Sequence, residues 1–539
     1  MTAAPFLSIV TPVNGASPEF LRGTVASVAA LAEPQWELCL VDDCSADADL
    51  DAYLTDLVAT DSRIRVHRRA ERGGIVATTN DGLAQATGEF VALLDQGDLL
   101  QQDTIGHVRA WATSSADIDF LYTDEDEIDD SGHHFNAFLK PDWSPDRLRC
   151  HMYTGHLGVF RRRLVDDVGR MRAEFEGSHA YDLVLRVTER AGRVVHVPHV
   201  LYHRRAAEHA ATPKEPIATH AITAARRALE EHFERTGFPA VAEPDPAAPE
   251  TLWRPRPRLA TTPLVSIVIP TGGQRRGVGQ QSRIHVIECV RSILARTRYP
   301  AVEIVCVTSR GFDDHVRERL TVLAGDRVRC VDGREPFNFS FAVNRGVAES
   351  SGEHVILLND DTEILDADWV ERLLLFSLEP GVGAVGAKLL YGDGRLQHAG
   401  VVTIEPPTHA FHGWPGDTTG YFHNTVVAGN WAAVTAACLM TRRECFEEVG
   451  GFTGTLPLNY NDVDYCFKLR RAGYRIVCNP AARLVHYERS TRASGVTTEE
   501  RSVLRGRWGS WLDNDPYYSS RFLDGADFAV SVPDRPRTG

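Results

Sequence analysis

Three neighbouring polar residues, Asn359, Asp360 and Asp361, directly follow the apolar run 354–358, which is typical of a buried strand. Carboxylate oxygens at the end of a strand suit a hard divalent cation such as Mg²⁺ or Mn²⁺, which also binds the oxygens of a diphosphate. The alternative is a polar turn that caps the next helix. The segment therefore predicts either a cation and diphosphate site or a structural turn.

Two later segments carry further residues that can move a proton or bind a metal ion. Asp462 and Asp464 stand at the start of a predicted helix over 465–472, where a carboxylate is either a general base or a helix cap. His486 follows the apolar run 482–485, and it is either a metal ligand or a structural hydrogen-bonding residue.

Length and composition predict a soluble protein of several domains. The chain has 539 residues, 43 % of them hydrophobic and 24 % charged, and a net charge of −15. This length exceeds one ordinary hydrophobic core. The acidic balance argues against a nucleic-acid partner, because phosphate binding needs clustered Lys and Arg.

The expected location is the cytoplasm. The ten cysteines are scattered without the short paired spacing of a metal or redox motif, as expected of reduced thiols. No secretory signal precedes the first apolar run, and no apolar run of about 18 residues predicts a membrane span. Peripheral association with the inner face of the plasma membrane stays open.

The chain contains an internal repeat. The run 7–12 recurs at 265–270. Asn344 stands 264 positions after Asn80, and Gly352 stands 264 positions after Gly88. A repeat this long indicates a duplicated domain rather than a solenoid. Each copy alternates strand-like and helix-like segments, which favours a mainly parallel α/β sheet with ligands at the carboxyl ends of its strands.

The repeat and a proline-rich stretch set the predicted boundaries. The first domain is expected over 1–237, a Pro-rich linker over 238–262, the second domain over 263–500 and a C-terminal tail over 501–539. Prolines argue against a continued helix or a central strand in the linker.

Taken together and in this order, the strand-end carboxylates, the later Asp and the later His resemble inverting family 2 glycosyltransferases of the GT-A fold. Within that family the chain is similar to bacterial tandem-domain enzymes of cell-surface polysaccharide and O-antigen assembly. Supporting segments lie at 337–340, 393–400, 432–439 and 513–518. The resemblance implies two tandem GT-A domains, Rossmann-like and with mainly parallel sheets.

The resemblance also implies an activity. A hexosyl or deoxyhexosyl group would pass from a nucleotide-sugar donor to a hydroxyl of a growing surface polysaccharide, a glycan or lipid-linked glycan, with Mg²⁺ or Mn²⁺ as cofactor. The alternatives are a bifunctional transferase with both domains active and a non-catalytic glycan-binding scaffold. Neither the sugar nor the oligomeric state is predicted.

Carried over position by position, the resemblance assigns roles in the second domain. Asp462 is the expected general base, and Asp361 and His486 are the expected metal ligands. The expected donor-binding residues are Pro270, Thr271, Thr308, Asn344, Asn359, Asp360 and Asp361. The expected acceptor residues are His398, His412, Trp414, Trp431 and Asp464, with core packing as the alternative for the aromatic ones. Thr308 stands where the family usually has a base-recognising Asp.

The first domain matches the same pattern incompletely. Its expected nucleotide-site residues are Thr11, Pro12, Asp43, Asn80, Asp95, Asp98 and His203. The metal-binding carboxylate is replaced by Gly97, unless Asp98 substitutes for it, and Ala180 stands at the position of the base. We therefore predict a weak or silent first domain, with His179 or Asp182 as the alternative base. For the acidic run 124–127 a structural role is favoured over a metal role.

Overall fold

A computed structural model describes residues 4–14, 18–206, 218–278, 281–334, 336–404, 406–487, 495–522 and 525–530. The chain divides into two compact units. Unit 1 comprises Met1–Trp143, His151–Gly237 and Val530–Gly539, and unit 2 comprises Ser144–Cys150 and Phe238–Ala529.

Strands and helices alternate along most of the chain. The strands are β1 (Leu7–Val13), β2 (Trp36–Asp42), β3 (Ile64–Arg68), β4 (Phe90–Leu93), β5 (Leu99–Leu100), β6 (Ile118–Ile128), β7 (His134–Phe138), β8 (Gly158–Arg161), β9 (Arg193–Arg205), β10 (Ala240–Pro244), β11 (Trp253–Pro257), β12 (Val265–Thr271), β13 (Arg275–Val278), β14 (Gln281–Ile284), β15 (Val302–Thr308), β16 (Val328–Asp332), β17 (His354–Leu358), β18 (Thr362–Ile364), β19 (Val382–Leu390), β20 (Leu396–His398), β21 (Val401–Val402), β22 (Thr408–His409), β23 (Gly429–Asn430), β24 (Cys438–Arg442) and β25 (Arg475–His486). The helices are α1 (Pro18–Ala29), α2 (Ala48–Thr60), α3 (Gly74–Gln85), α4 (Thr104–Ala112), α5 (Pro145–Leu148), α6 (Arg162–Asp167), α7 (His179–Thr188), α8 (Thr219–Thr236), α9 (His285–Arg296), α10 (Asp314–Ala324), α11 (Phe339–Glu349), α12 (Trp369–Ser377), α13 (Arg443–Glu448), α14 (Asn461–Arg471) and α15 (Thr498–Leu512).

Unit 1 is built on one mixed sheet. In its described residues the strand order is β3-β2-β1-β4-β8-β6-β9-β5, with β7 paired to β6. The pairs β2–β3, β1–β2, β1–β4 and β6–β9 are parallel. Ile9 and Leu38 of the sheet pack with Val25 and Ile105 of the helices in a buried core. Strands buried on both faces have the near-continuous apolar sequence seen here.

Unit 2 repeats this topology. Its strand order is β16-β15-β12-β17-β24-β19-β25-β18 in the described part of the chain, and β20 and β23 pair with β19 and β25. The pairs β12–β15, β12–β17, β15–β16 and β19–β25 are parallel. The predicted fold class, two tandem α/β domains with mainly parallel sheets, is confirmed.

The duplication extends to individual hydrogen bonds. In unit 1, Ser8 Oγ donates to Glu37 Oε1 over 2.6 Å and accepts from the amide of Gly88 over 2.8 Å. In unit 2, Ser266 Oγ donates to Glu303 Oε1 over 2.6 Å and accepts from the amide of Gly352 over 2.7 Å. The same buried polar groups are therefore satisfied in the same way in both sheets.

Two segments differ from the boundaries drawn from the sequence. The Pro-rich segment 238–262 contains the antiparallel pair β10–β11, which is a separate two-stranded sheet, so the prolines do not interrupt a central strand. The segment 501–539 is not a separate tail in its described part, because α15 and the residues up to 529 belong to unit 2. Residues 531–539 lie outside the described residues.

All ten cysteines are free thiols. Among the described residues, no helix combines the length and the apolar character that crossing a lipid bilayer requires.

Candidate active site

The predicted metal ligands of unit 2 meet at the ends of two strands. Asp361 follows the fully buried strand β17, and His486 is the last residue of β25. The antiparallel pair β18–β25 sets Thr362 opposite His486, and this register brings His486 Nε2 to 3.1 Å from Asp361 Oδ1. Both side chains are less than a tenth exposed.

Gln397 on β20 fixes the orientation of the His486 ring. The carbonyl oxygen of Gln397 lies 2.7 Å from His486 Nδ1 and only accepts, so Nδ1–H donates to it. His486 Nε2 faces Asp361 Oδ1 and Asn359 Nδ2, each at 3.1 Å. In the metal-free protein a proton on Nε2 would be donated to Asp361, and with a cation bound the Nε2 lone pair would be the ligand. Two ligand atoms about 3 Å apart match adjacent positions around a cation bound at about 2.1 Å.

The two adjacent aspartates differ in pKa. Burial and the neighbouring Asp361 raise the pKa of Asp360 to about 7, although Thr271 Oγ1 donates to it over 2.6 Å. Burial opposes the ionisation of Asp361 too, but the His486 hydrogen bond and charge outweigh it and lower the pKa of Asp361. Asp361 is therefore the better cation ligand, and an imidazole partner suits Mn²⁺ better than Mg²⁺.

A pocket of about 200 Å³ joins this strand end to the start of α14. Asn359 and His486 line one part of it, and Asp462 lines another. The other lining residues are Phe339, Gln397, Val401, Pro407, Thr408, His409, Thr435, Ala436, Ala437, Leu458, Asn459, Tyr460, Asn461, Val463 and Val496.

Asp462 is a half-buried carboxylate held by backbone amides. Its Oδ2 accepts from the amide of Ala436 over 3.2 Å, and its Oδ1 accepts from the amide of Val463 over 2.9 Å. Tyr460, which precedes the helix, has a φ of 57° in the left-handed region. The backbone thus orients Asp462 towards the pocket while its remaining lone pairs stay available for a proton.

Glu500, which the sequence analysis did not identify, fixes the loop before Asp462. Its Oε1 accepts from the amides of Leu458 and Asn459, and its Oε2 accepts from the side chain of Asn459 over 2.9 Å. Glu500 also completes a capping box with Thr497 at the start of α15. The capping-box pattern is visible in the sequence. The contact of Glu500 with Leu458 and Asn459, more than 40 positions earlier in the chain, is not.

Three of the predicted donor residues lie side by side at the ends of β12 and β15. Pro270 and Thr271 end β12, and Thr271 stands opposite Thr308 in the parallel register. Thr308 Oγ1 lies 3.2 Å from Asp332 Oδ1 at the end of β16, and Arg317 pairs with the same carboxylate at 2.9 Å. Asp332 therefore supplies a carboxylate near the position where Thr308 replaces the expected Asp.

Asn344 makes a structural contact rather than lining the pocket. Its side-chain Nδ2 donates to the carbonyl of Phe452 over 2.9 Å, and its Oδ1 accepts from the amide of Phe452 over 2.8 Å. Asn80 in unit 1 makes the same pair of bonds with Met171. These contacts explain the repeat of Asn at this position and favour a structural role for both residues.

The predicted acceptor histidines are only partly brought to the pocket. His398 is fully buried, and its Nδ1 lies 2.8 Å from Nδ1 of His409, which lines the pocket. Burial, together with the nearby histidines, holds the pKa of His398 well below its usual range. His412 is exposed and pairs with the hydroxyl of Tyr391. His409 thus lines the pocket together with His486, whereas His398 and His412 do not line it.

The two predicted acceptor tryptophans also do not line the pocket. Trp431 is 4 % exposed, and a Cβ atom at Gly400, whose φ is +125°, would lie 2.1 Å from its ring. Trp431 therefore packs in the core, the alternative that the sequence left open. Trp414 is 40 % exposed and packs edge-on against Phe411.

Asp464 has a structural environment. It is completely buried, its Oδ1 accepts from Trp508 Nε1 over 2.8 Å and its Oδ2 accepts from Thr453 Oγ1 over 2.6 Å. Arg507 Nε lies 2.9 Å from Oδ1. These contacts favour a structural role for Asp464, which links α14 to α15, over the predicted contact with the acceptor.

In unit 1 several of the predicted nucleotide-site residues make contacts within the protein. Thr11 and Pro12 are buried in β1. Asp43 accepts from the amides of Gly73 and Gly74 over 2.8 and 3.0 Å, which orients the start of α3. These contacts compete with the expected recognition of a base.

The strand-end carboxylates of unit 1 also differ from those of unit 2. Asp95 is exposed, whereas Asp98 is buried and accepts from Tyr202 Oη over 2.5 Å and from the amide of Arg205 over 2.8 Å. These contacts favour a structural role for Asp98 over replacement of the carboxylate lost at Gly97. His203 contacts Asp126 rather than this turn.

The residues that could replace the missing base in unit 1 differ in burial and in ion pairing. Ala180 is exposed in the first turn of α7. Asp182 is fully buried and paired with both Arg172 and Arg186, so its oxygens are not available as a base. His179 is half-buried, and burial lowers its pKa. His179 is therefore the remaining candidate.

Comparisons with known proteins agree with the duplication. The family model "Glycosyl transferase family 2" matches residues 8–169, and the family model "Glycosyltransferase like family 2" matches residues 263–510. Uncharacterized protein y4gI of Sinorhizobium fredii is 39 % identical over 98 % of this chain, and O-antigen biosynthesis protein RfbC of Myxococcus xanthus is 35 % identical over 96 %. The chain spans 59 % and 40 % of the lengths of these two relatives.

Two solved structures align with part of the chain. TarS residues 1–349 of S. aureus, in complex with UDP-GlcNAc, is 18 % identical with a TM-score of 0.33 over 42 % of this chain and 72 % of that one. The mannosyltransferase PcManGT of Pyrobaculum calidifontis, in complex with GDP-Man and Mn²⁺, is 17 % identical with a TM-score of 0.33 over 44 % of this chain and 65 % of that one.

The two repeated sheets define a protein of two GT-A-like α/β domains in tandem. The matches to both halves then identify the family: the chain belongs to the family 2 glycosyltransferases.

Proposed function

We propose that unit 2 transfers a sugar, with inversion, from a nucleotide-sugar donor to a hydroxyl group of a surface polysaccharide under assembly. The observation that carries this proposal is that Asp462 lines the same pocket as Asn359 and His486, and that His486 contacts Asp361. One pocket thus combines a base with a pair of residues suited to a divalent cation. The match to an O-antigen biosynthesis protein supports the acceptor class.

Each residue has a distinct part in the proposed reaction. Asp462 takes the proton of the acceptor hydroxyl while the hydroxyl oxygen bonds to the anomeric carbon. On the opposite face the bond from that carbon to the diphosphate oxygen breaks, and its electron pair leaves with the nucleoside diphosphate. Asp361 and His486 would hold Mn²⁺ or Mg²⁺, which neutralises charge on the departing diphosphate when bound. His409 lines the pocket where the acceptor would lie.

Unit 1 is proposed to bind nucleotide or glycan without transferring sugar. Ala180 stands where the base is expected, Asp98 is engaged by Tyr202 and Arg205, and Asp182 is engaged by two arginines. A bifunctional enzyme is the second candidate, because His179 lies next to Ala180 and an imidazole can accept a proton.

The first test measures release of nucleoside diphosphate from a panel of nucleotide sugars with glycan acceptors, with and without Mn²⁺. Asp462→Asn is expected to lower kcat by about a hundred- to ten-thousand-fold, since a general base contributes that much. Asp326→Asn, at an exposed aspartate of unit 2, is the matched control and should keep full activity.

The outcomes separate the candidate functions. If about half of the transfer survives in Asp462→Asn, unit 1 is active and the bifunctional enzyme is supported. If the wild-type protein releases no nucleotide from any donor, the chain is a scaffold and the proposed function is wrong.

A further inference from the structure

Unit 1 contains a cluster of two histidines and one carboxylate that the proposed transfer reaction does not use. Asp126 lies on β6, His134 on β7 and His203 on β9. Asp126 Oδ1 is 2.6 Å from His203 Nδ1, and Asp126 Oδ2 is 3.0 Å from His134 Nδ1. One ligand atom from each residue lies within 4.8 Å of the other two.

The strand register places these three residues together. In the parallel pair β6–β9, Asp126 stands directly opposite His203. In the antiparallel pair β6–β7, Ile128 stands opposite His134, so His134 reaches back towards Asp126. The two imidazole rings meet edge to face with centroids 4.5 Å apart. Three strands of one sheet therefore fix the cluster, as a preformed binding site requires.

Two residues of the cluster are buried, and the third is exposed to solvent. Asp126 is 7 % exposed and His203 is 8 % exposed, whereas the His134 side chain is 45 % exposed. An ion can therefore reach the cluster from solvent past His134. Two of its three ligands would already be shielded from water.

The neighbouring arginines do not neutralise Asp126. Arg204 pairs with Glu127, and Arg205 pairs with Asp130 at 2.9 Å. In the part of the chain that the structure describes, both oxygens of Asp126 contact imidazole nitrogens. The carboxylate and the two imidazoles therefore face one another without an arginine or lysine between them among the ion pairs of the described residues.

Unit 2 differs at the equivalent histidine. His486 donates from Nδ1 to the neutral amide oxygen of Gln397 and turns Nε2 towards Asp361. In unit 1 the metal-binding carboxylate of the strand-end turn is absent, and Nδ1 of His203 meets the carboxylate of Asp126 instead. The cluster is thus a different arrangement from the predicted metal site of unit 2.

We propose that Asp126, His134 and His203 bind a divalent transition-metal ion, with Zn²⁺ as the best match. Two nitrogen ligands and one carboxylate oxygen suit Zn²⁺ and disfavour Mg²⁺, which prefers oxygen ligands. Ligand atoms about 2.1 Å from one ion lie about 3 to 3.5 Å apart, so ion binding would need only small shifts from the present separations, which are 2.6 and 3.0 Å for the two carboxylate–imidazole pairs and at most 4.8 Å within the cluster. Three protein ligands leave a fourth position for water or an anionic oxygen.

The test measures the metal content of the full chain, purified without a polyhistidine tag. Asp361→Asn is introduced into every variant so that the predicted site of unit 2 does not contribute. After EDTA treatment, loading with Zn²⁺ and desalting, the parent variant should retain about one equivalent of Zn²⁺ by mass spectrometry. His134→Ala should lose it, and exposed His134 is not required for folding.

His133→Ala is the matched control. His133 is the adjacent exposed histidine, 3.8 Å from Asp129, and its removal should leave the Zn²⁺ content unchanged. Asp126→Asn should behave as His134→Ala, with circular dichroism confirming that each variant is folded. Failure of the parent to retain Zn²⁺, or equal Zn²⁺ content in parent and His134→Ala, would overturn the proposal and leave Asp126 as a hydrogen-bond acceptor only. Neither result bears on the transferase activity proposed for unit 2.

Discussion

Gln397 shows how one neutral side chain can prepare a metal ligand. It accepts from Nδ1 of His486 and thereby leaves Nε2 as the atom that faces Asp361. Replacing Gln397 by Leu removes this acceptor without adding charge. Since the loss of such a supporting contact typically weakens metal affinity about 10- to 100-fold, the variant should need correspondingly more Mn²⁺.

The measurement is a titration of transferase activity with Mn²⁺. Saturating Mn²⁺ should restore most of kcat in Gln397→Leu, which a merely misfolded protein would not show. Gln274→Leu, close to the surface of unit 2, is the comparison variant. An unchanged Mn²⁺ requirement in Gln397→Leu would argue against metal binding by His486.

His354 gives a pH prediction that is independent of catalysis. It is 3 % exposed, its Nδ1 lies 2.8 Å from Ser377 Oγ, and burial together with Arg442 lowers its pKa to about 4. Between this value and the ordinary pKa of about 6.5, the unfolded chain binds a proton that the folded chain does not. Stability should therefore fall as pH falls from 6.5 to 4, by roughly 3 kcal/mol from this residue alone.

His354→Asn keeps a polar atom near the position of Nδ1 but does not titrate. Its unfolding free energy, measured with urea at several pH values, should depend less on pH in this interval than that of the wild type. His315→Asn, at an exposed histidine, should keep the wild-type pH dependence. Parallel pH profiles for His354→Asn and the wild type would contradict the prediction.

The sequence identified residue types better than residue contacts. Asp361, Asp462 and His486 follow recognisable strand and helix ends, so their approximate neighbourhood could be predicted from the α/β pattern. The resemblance predicts a donor contact for Asn344, whereas its bonds to the backbone 108 residues later have no signal in the sequence. Contacts between distant loops depend on tertiary packing that no local pattern encodes.

At the scale of elements, α15 is an integral part of unit 2 because its side chains contact both α14 and the loop that precedes α14. Trp508 and Arg507 hold Asp464, and Glu500 holds the amides of Leu458 and Asn459. The helix starts next to residue 500, where the sequence analysis ended the domain. A boundary placed there separates the predicted base from the residues that orient it.

Asp464→Asn tests the attachment of α15. The substitution removes the charge between Arg507 and Lys468 in a completely buried position. Breaking a buried ion pair in this way typically costs about 3 to 5 kcal/mol. Urea unfolding should show this loss, whereas Asp513→Asn, at the exposed partner of Arg505, should change stability by less than about 1 kcal/mol.

Glu500→Gln tests whether α15 also positions the base. The neutral amide keeps the shape but weakens the bonds to two backbone amides. We expect a lower kcat with little change in the KM for the donor, since Asp462 and not the donor site is displaced. A Glu499→Gln variant at the neighbouring exposed residue is the control. Equal kinetics in both variants would leave Glu500 with a capping role alone.

At the scale of the whole molecule, the two units share their sheet topology and its buried hydrogen bonds more closely than their candidate catalytic residues. Ser8–Glu37 and Ser266–Glu303 keep the same hydrogen bond at 2.6 Å in both units. The strand-end turn, by contrast, retains its metal-binding carboxylate only in unit 2 among the residues described. Packing constraints act on both copies, but one catalytic pocket suffices for one transfer reaction.

The last prediction concerns how many active sites the chain contains. If unit 2 alone transfers sugar, His179→Ala in unit 1 should leave kcat and KM within about twofold of the wild type, because no proton passes to His179. If unit 1 still binds nucleotide, the melting temperature of Asp361→Asn, which weakens the predicted donor site of unit 2, should still rise with nucleotide concentration as mass action requires. His220→Ala, at an exposed position of unit 1, is the matched control for His179→Ala. Loss of one of two distinct transfer products in His179→Ala would instead assign a second active site to unit 1, since only a base acting there would couple that histidine to product formation.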